Sequence, residues 1–359
     1  MSEFVHTEVK NRTGLIILDR PRALNALSLA MVRSLAGTLL AWRSDVGVDA
    51  VVIKSSSPKA FCAGGDLRFF YDAARATMSA GSALIEDFFS EEYALNYLIH
   101  HYPKPYVAIM EGVVMGGGMG LAQAGPASCM RIVTDTTKMA MPEVAIGLFP
   151  DVGGSHFLSR VPGKLGLYLA LTGLPVDAFD AVHLKLADAY VPQQHMGELA
   201  ALIEQTPAAG LRAAIISFAA QPVPGEHSLA AGGATLAACF SAPSVAAIMQ
   251  ALAISPCALA QKAHGAMLQR SPLMLCVTHA MLGRGARLSM AQCLRMERAL
   301  VRRTFEHGEV IEGIRALVID KDQAPRWSPA RLDDVTDTMV AQFFEPVWPE
   351  HAHPLRDLL

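Results

Sequence analysis

The stretch EGVVMGGGMGLAQAGPASCMRIVTDTTKMAMPEVAIGLFPDVGG, residues 111–154, combines a run of glycines, four acidic residues and several short apolar segments. It follows the apolar run 106–110, which contains β-branched residues and comes directly after Pro105, features typical of a buried strand. A helix is predicted next, and glycines 116–118 lie at the junction, where missing Cβ atoms let a ligand approach the main chain. The first turn of such a helix has unpaired N–H groups and a positive dipole end. This corner therefore suits an anion, or an oxygen that becomes one during a reaction.

The glycine run lacks the Lys-Ser/Thr ending of a phosphate loop and the spacing of the dinucleotide fingerprint. Nucleotide hydrolysis and hydride transfer are therefore not favoured. Two interpretations stay open from this run alone: a ligand contacts the main chain here, or the glycines let the helix pack tightly on the sheet.

Two carboxylates in the same stretch are candidate catalysts. Glu143 follows Pro142 and Asp151 follows Pro150, so each stands on a segment whose backbone direction a proline constrains. The alternatives are structural, with Glu143 capping the following turn and Asp151 stabilising the corner at 152–154.

A second glycine-bearing corner lies earlier, in KAFCAGGDLR at 59–68. Asp66 is predicted to cap the following helix rather than to act in catalysis. The backbone N–H of Gly65 is a candidate donor to the same ligand that Gly117 faces. Further along, Glu91 and Glu92 are adjacent on a predicted helix, so only one of them is expected to face inward.

Length and composition indicate a compact protein. The chain has 359 residues, 52% of them hydrophobic and 18% charged, enough for one large domain or a core with an appended unit. The net charge is −3 and no block of Lys or Arg stands out, so a nucleic-acid partner is not expected. The uncharged segment 228–261 is Ala-rich and broken by Gly and Pro, which favours packed helices over a membrane span. Charged residues near the N-terminus argue against a secretory signal, so the cytosol is the predicted location.

Metals and redox cofactors are not expected. The six cysteines are widely spread without a C-x-x-C pair, which predicts buried thiols rather than a zinc site or disulfides. His351 and His353 could hold a metal, but a solvated C-terminal tail is the favoured interpretation.

Periodicity predicts strands followed by helices up to about residue 200, and mainly helices beyond it. The predicted strands span 4–9, 14–18, 49–53, 106–110, 130–134, 139–141 and 187–191. The predicted helices include 83–101, 155–160, 164–171, 177–184 and one that Ser28 caps and that runs to about 43. The expected organisation is an α/β (α+β) core over 1–200 with a helical region over 201–359 that covers it.

The motifs, taken together, resemble a known family. Three motifs occur in this order: KAFCAGGD at 59–66, PYVAIMEGVVMGGGMGLA at 105–122 and MPEVAIGLFPDVGG at 141–154. They resemble motifs of the crotonase (enoyl-CoA hydratase/isomerase) superfamily. The segment RPRALNALS at 20–28 supports the resemblance. The resemblance implies a crotonase-like spiral of ββα units. Within the superfamily, EEYALN at 91–96 and EGIRALVIDKDQAPRWSP at 312–329 most resemble the 3-hydroxyisobutyryl-CoA hydrolase family.

The resemblance implies roles for particular residues. The N–H groups of Gly65 and Gly117 would form an oxyanion hole for a thioester carbonyl, a role that agrees with the two corners. Glu143 matches an acidic residue shared by hydratases and the hydrolase, as nucleophile or general base, and Glu92 matches a substrate-contacting glutamate. Asp151 matches an acidic residue that is typical of the hydrolase motif.

Two positions depart from related patterns. Gly120 stands where hydratases have their second glutamate, so one of the paired carboxylates for adding water to a double bond is missing. His156 stands where the hydrolase has an aromatic residue, and it is expected either to affect the acyl-group preference or to lie on a helix surface.

The leading hypothesis is a hydrolase that splits a short, branched 3-hydroxyacyl-CoA, as in valine breakdown. The alternatives are a hydratase or isomerase that uses Glu143 alone, and a non-catalytic acyl-CoA binder. CoA enters as part of the substrate and no other cofactor is implied. Relatives of this fold often form trimers or hexamers, which implies a homo-oligomer unless the C-terminal helices occupy that surface.

Overall fold

The computed structural model describes residues 2–77, 81–125, 129–225 and 228–359. The chain divides into two compact units whose segments alternate along the sequence. The first unit comprises Met1–Gly65, Ala94–Ala140 and Val176–His227, and the second comprises Asp66–Tyr93, Met141–Pro175 and Ser228–Leu359. The division at residue 200 into core and covering region stays a prediction.

The strands of the described residues all belong to the first unit. They are β1 Val5–Lys10, β2 Thr13–Leu18, β3 Ala50–Ser55, β4 Ala60–Cys62, β5 Tyr106–Met110, β6 Val113–Met115, β7 Met130–Val133, β8 Lys138–Ala140 and β9 Ala189–Tyr190. One sheet has the order β1-β2-β3-β5-β7-β9 and the other the order β4-β6-β8. β1 and β2 pair antiparallel, and the other neighbours in both sheets pair parallel.

The α-helices are α1 Leu29–Ser44, α2 Leu67–Arg75, α3 Ala83–His100, α4 Gly117–Gln123, α5 Gly154–Phe157, α6 Leu165–Thr172, α7 Ala178–His183, α8 Met196–Gln205, α9 Ala208–Phe218, α10 Ser228–Phe240, α11 Val245–Ile254, α12 Ala258–Met267, α13 Pro272–Gly285, α14 Met290–His307, α15 Glu309–Ile314 and α16 Asp337–Phe343. A short 3-10 helix spans Glu143–Ile146 and a π-helix spans Arg315–Ile319. No helix in the described part of the chain combines the length and the apolar content that crossing a bilayer requires.

The core of the first unit lies between its six-stranded sheet and the helices α8 and α9. Val52, Val107 and Ile132 on neighbouring parallel strands pack with Leu199 of α8 and Ile215 of α9. β5 is buried along its whole length because parallel strands are usually covered on both faces. This burial explains why its sequence reads as a continuous apolar run.

The second unit is helical in its described residues, and α14 shows why. Seven of its ten buried residues recur every three or four positions and form one mostly apolar face: Met290, Cys293, Leu294, Glu297, Leu300, Val301 and Thr304. Ser289 and Gln292 form a capping box at its start, and Gly308 ends it in the left-handed conformation.

The mixed α/β architecture is as the sequence predicts. The strand at Tyr106–Met110 has the predicted bounds, and the hairpin, α1 and α3 differ from their predicted bounds by a residue or two. Ser28 caps α1 by accepting a hydrogen bond from Met31 N. The sequence does not predict β6, because Val113–Met115 is too short to show a period.

Two smaller expectations have different outcomes. All six cysteines are free thiols and four are buried, as expected. The prediction of a solvated C-terminal tail is wrong for His353. Its Nε2 lies 3.1 Å from Arg295 O, and its ring packs edge-on against Trp348. The hydrogen bond to Arg295 holds this part of the tail against α14, and the ring contact with Trp348 lies within the tail.

Candidate active site

The two glycine-bearing corners lie together in the first unit. Gly64 has a φ of +98°, and a Cβ at this position would lie 3.3 Å from Gly117 N. Gly65 follows it, and Gly117 is the first residue of α4. Neither the Gly65 amide nor the Gly117 amide donates a hydrogen bond to another residue in the described ranges. Both amides are therefore available as donors to a ligand, as expected at the start of a helix.

Tight packing also explains part of the glycine run. A Cβ at Gly118 would lie 2.3 Å from Cys62 O, so β4 approaches α4 at a distance that only glycine permits. Tight packing therefore applies at Gly118, and contact between a ligand and the free amide of Gly117 stays a prediction.

Asn25, in a loop of the first unit, holds the strand that leads into the Gly64–Gly65 corner. Its Nδ2 donates to Ala60 O at 3.1 Å, Phe61 O at 3.0 Å and Ser55 Oγ at 2.8 Å, and the side chain is fully buried. These bonds fix β4 and thereby the position of the corner after it.

The candidate carboxylates lie in the second unit. Glu143 is the first residue of the 3-10 helix that follows Pro142, and it is 6% exposed. Pro142 precedes it at the N-cap position and supplies no side-chain hydrogen bond, so the capping alternative for Glu143 stays open. Glu143 Oε2 is buried and has no hydrogen-bond partner among the described residues. Such an atom is costly to bury unless a ligand pairs with it.

Asp151 has a defined partner that local sequence pattern does not reveal. Tyr93 donates its hydroxyl to Asp151 Oδ2 at 2.7 Å, and both side chains are buried. Glu92, the preceding residue of α3, is 2% exposed, and its Oε1 has no partner within the described residues. Glu91 is half-buried, as expected for adjacent positions on a helix.

The acidic groups share one electrostatic environment. Burial, together with the negative charge of Asp151, raises the pKa of both Glu92 and Glu143 well above the ordinary value. Burial also raises the pKa of Asp151, to about 6, while the hydrogen bond from Tyr93 counteracts the increase. Asp151 is therefore the group that ionises first as the pH rises, and its charge favours the protonated form of the two glutamates.

Glu297 is a further acidic group that sequence reasoning missed. It lies on α14, is fully buried and accepts hydrogen bonds from Gly153 N at 2.7 Å and Ser155 N at 2.9 Å. Burial raises its pKa to about 8, which the three hydrogen bonds from Ser155 and Gly153 oppose. The signal was present in the sequence, since Glu297 occupies a position in a mostly apolar helical repeat.

The structure groups the predicted residues by unit. Gly65 and Gly117 lie in the first unit, and Glu92, Glu143 and Asp151 lie in the second. Their roles in binding and catalysis stay predictions. Asp66 caps α2 by accepting a hydrogen bond from Phe69 N at 3.3 Å, as predicted.

His156 lies within α5 and is half-buried. Its backbone oxygen accepts hydrogen bonds from Ser159 Oγ and Arg160 Nη1. These contacts give the main chain of His156 a structural role. The effect of its side chain on the acyl-group preference stays a prediction.

Comparisons with known proteins agree on the family. The family model described as enoyl-CoA hydratase/isomerase matches residues 13–344. The mitochondrial 3-hydroxyisobutyryl-CoA hydrolase of Xenopus tropicalis is 40% identical over 339 residues, which cover 92% of this chain and 86% of that protein. The human protein of the same name is 36% identical over 350 residues, covering 96% and 89%.

Solved structures are similar over nearly the whole chain. A structure described as a carnitinyl-CoA dehydratase from Mycobacterium thermoresistibile superposes with a TM-score of 0.89 at 40% identity, covering 97% of this chain and 98% of that one. Another, described as an enoyl-CoA hydratase from Rhodobacter sphaeroides, has a TM-score of 0.86 at 35% identity, covering 96% and 98%. The chain therefore belongs to the enoyl-CoA hydratase/isomerase (crotonase) family.

Proposed function

We propose that this protein hydrolyses a short 3-hydroxyacyl-CoA thioester, with 3-hydroxyisobutyryl-CoA as substrate and 3-hydroxyisobutyrate and CoA as products. The relatives named as hydrolases, 35–40% identical to the chain, support the reaction. The observation that carries it is the buried pair Glu143 and Asp151, combined with Gly120 at the position where hydratases have their second glutamate. With this substrate, the reaction is a step of valine catabolism.

In the proposed mechanism, the amides of Gly65 and Gly117 stabilise the negative charge that develops on the thioester oxygen. Their freedom from other acceptors in the described residues supports this assignment. A preorganised donor of this kind contributes roughly 3 kcal/mol to stabilising the transition state.

Glu143 is proposed to start the reaction at the carbonyl carbon. As a nucleophile, its carboxylate bonds to that carbon, the C–S bond breaks to release CoA thiolate, and water then hydrolyses the mixed anhydride. As a general base, it takes a proton from a water molecule whose oxygen attacks the carbonyl, and the tetrahedral adduct expels the thiolate. In both routes Asp151 orients the water, assists proton transfer or holds the 3-hydroxyl, and Glu92 contacts the substrate.

Thiol release from 3-hydroxyisobutyryl-CoA tests the proposal directly. We expect Glu143→Gln to lower kcat by at least about 100-fold, because loss of a catalytic base or nucleophile has effects of this size. The exposed Glu198→Gln variant should retain wild-type activity. Wild-type protein that releases no thiol from this substrate would exclude the hydrolase, and equal rates for the wild type and Glu143→Gln would exclude the assigned role.

Hydration or dehydration of an acyl-CoA is the second candidate, because similar solved structures are described as a dehydratase and a hydratase. It predicts a change in enoyl absorbance without thiol release. Measuring both signals on one acyl-CoA series distinguishes the two activities. A non-catalytic acyl-CoA binder would give neither signal.

Three further expectations belong to this proposal. The reaction needs no metal or redox cofactor, so chelator treatment should leave thiol release unchanged. The cytosol is the proposed location, although the relatives compared above carry "mitochondrial" in their names. A homo-oligomer is proposed, and light scattering on the purified chain would detect it.

A further inference from the structure

The corner that follows Asp151 adopts an unfavourable backbone conformation. Val152 has a φ of +51°, a region that β-branched residues rarely occupy, and Gly153 follows with a φ of +87°. Gly154 N donates to Asp151 O at 2.7 Å, which closes the turn on itself. A strained turn of this kind persists only where surrounding contacts hold it.

Glu297 supplies those contacts from a distant part of the chain. Its Oε2 accepts from Gly153 N, and its Oε1 accepts from both the amide and the hydroxyl of Ser155. One buried carboxyl group thus binds the residues on both sides of Gly154. Because both oxygens are used, the carboxyl group fixes the direction of this turn as well as its position.

We propose that Glu297 is a positioning residue, which holds the strained turn 152–155 and so keeps the Asp151 carboxylate in the orientation that thioester hydrolysis requires. This inference rests on the proposed function. The hydrogen bond from Tyr93 holds the carboxylate end of Asp151, and Glu297 holds the main chain that follows it. A purely structural Glu297 would affect the amount of folded protein without changing kcat.

Steady-state thiol release from 3-hydroxyisobutyryl-CoA tests the inference. In Glu297→Gln one carboxyl oxygen becomes an NH₂ group, which faces a donor instead of accepting from it. We expect kcat to fall about 10- to 100-fold with KM changed less than about threefold, because small misplacements of catalytic groups have effects of this size. Glu306→Gln, an exposed glutamate on the same helix, is the matched control and should keep wild-type kinetics.

A second substitution separates positioning from folding. Glycine adopts positive φ without strain. The double variant Val152→Gly/Glu297→Gln should therefore have a kcat about tenfold higher than that of Glu297→Gln alone. A kcat within about twofold of wild type in Glu297→Gln, or a loss that Val152→Gly does not reduce, would overturn the inference. If Glu297→Gln does not fold, Ser155→Ala removes one of the three donors and should still lower kcat by about threefold or more.

Hydrogen exchange tests the positioning role of Glu297 without depending on thioester hydrolysis. Amide hydrogen exchange in residues 151–155 should be about tenfold faster in Glu297→Gln than in Glu306→Gln, since two of these amides lose or weaken their acceptor. Wild-type protein without thiol release would contradict the hydrolase proposal alone. Unchanged exchange in this segment would contradict the positioning role whatever the activity.

Discussion

Individual residues of the second unit have different protonation tendencies because their partners differ. Asp151 has a hydroxyl donor, whereas Glu92 Oε1 and Glu143 Oε2 have no partner in the described part of the chain. A hydrogen bond to a carboxylate favours its charged form, and burial without a partner favours the neutral form. The sequence places the acids on rigid segments, but it does not show which of them ionises first.

Tyr93→Phe should therefore change the pH dependence of activity. Loss of the hydroxyl removes the larger of the two hydrogen-bond effects that lower the Asp151 pKa, so this pKa rises above its value of about 6. If hydrolysis needs Asp151 ionised, the acidic limb of kcat/KM moves to higher pH by about one unit, the amount that one such hydrogen bond supplies. A pH–rate profile measures the shift.

The control for this experiment is Tyr71→Phe on α2, which leaves the carboxylates untouched. An acidic limb that stays in place in Tyr93→Phe would mean that the ionisation of Asp151 does not limit the reaction.

At the scale of elements, the two glycine corners depend on strands too short to be stable alone. β4 has three residues, and Asn25 ties it to the loop before α1 through two backbone carbonyls. The RPRALNALS motif therefore acts on the corner at Gly65 from a distance of 40 residues in sequence. Its physical role becomes visible only when the hydrogen bonds are known.

Asn25→Ala should destabilise the protein by about 2–4 kcal/mol, because the carbonyls of Ala60 and Phe61 would stay buried without their donor. Urea unfolding measures the loss, with the exposed Gln194→Ala as control. A change below about 0.5 kcal/mol would show that these carbonyls find other donors.

At the scale of the whole molecule, the cluster of buried acids in the second unit links folding to pH. Glu92, Glu143 and Glu297 all have pKa values raised by burial. A group whose folded-state pKa is raised binds its proton more tightly in the folded state. It therefore stabilises the fold most below its unfolded pKa, and this contribution is lost as the pH rises through the folded pKa.

For Glu297 this window runs from the ordinary glutamate pKa of 4.5, which applies to the unfolded chain, to about 8 in the folded protein. The free energy of unfolding of the wild type should fall across it, relative to Glu297→Gln, by on the order of several kcal/mol. Urea unfolding of both proteins at a series of pH values measures the difference. A difference that stays constant with pH would show that Glu297 is ionised in the folded protein throughout this range.

The sequence by itself determined the family, the mixed α/β class, the strand at Tyr106–Met110, the cap at Asp66 and the two corners with glycines, because these depend on local pattern and residue chemistry. Only the tertiary structure placed Tyr93 against Asp151 and Glu297 against the turn at 153–155, since their partners are 58 and about 140 residues away in sequence. Local periodicity carries no information about contacts of this separation. The short strand β6 also depends on its neighbours, because three residues form a strand only when β4 and β8 supply the hydrogen bonds.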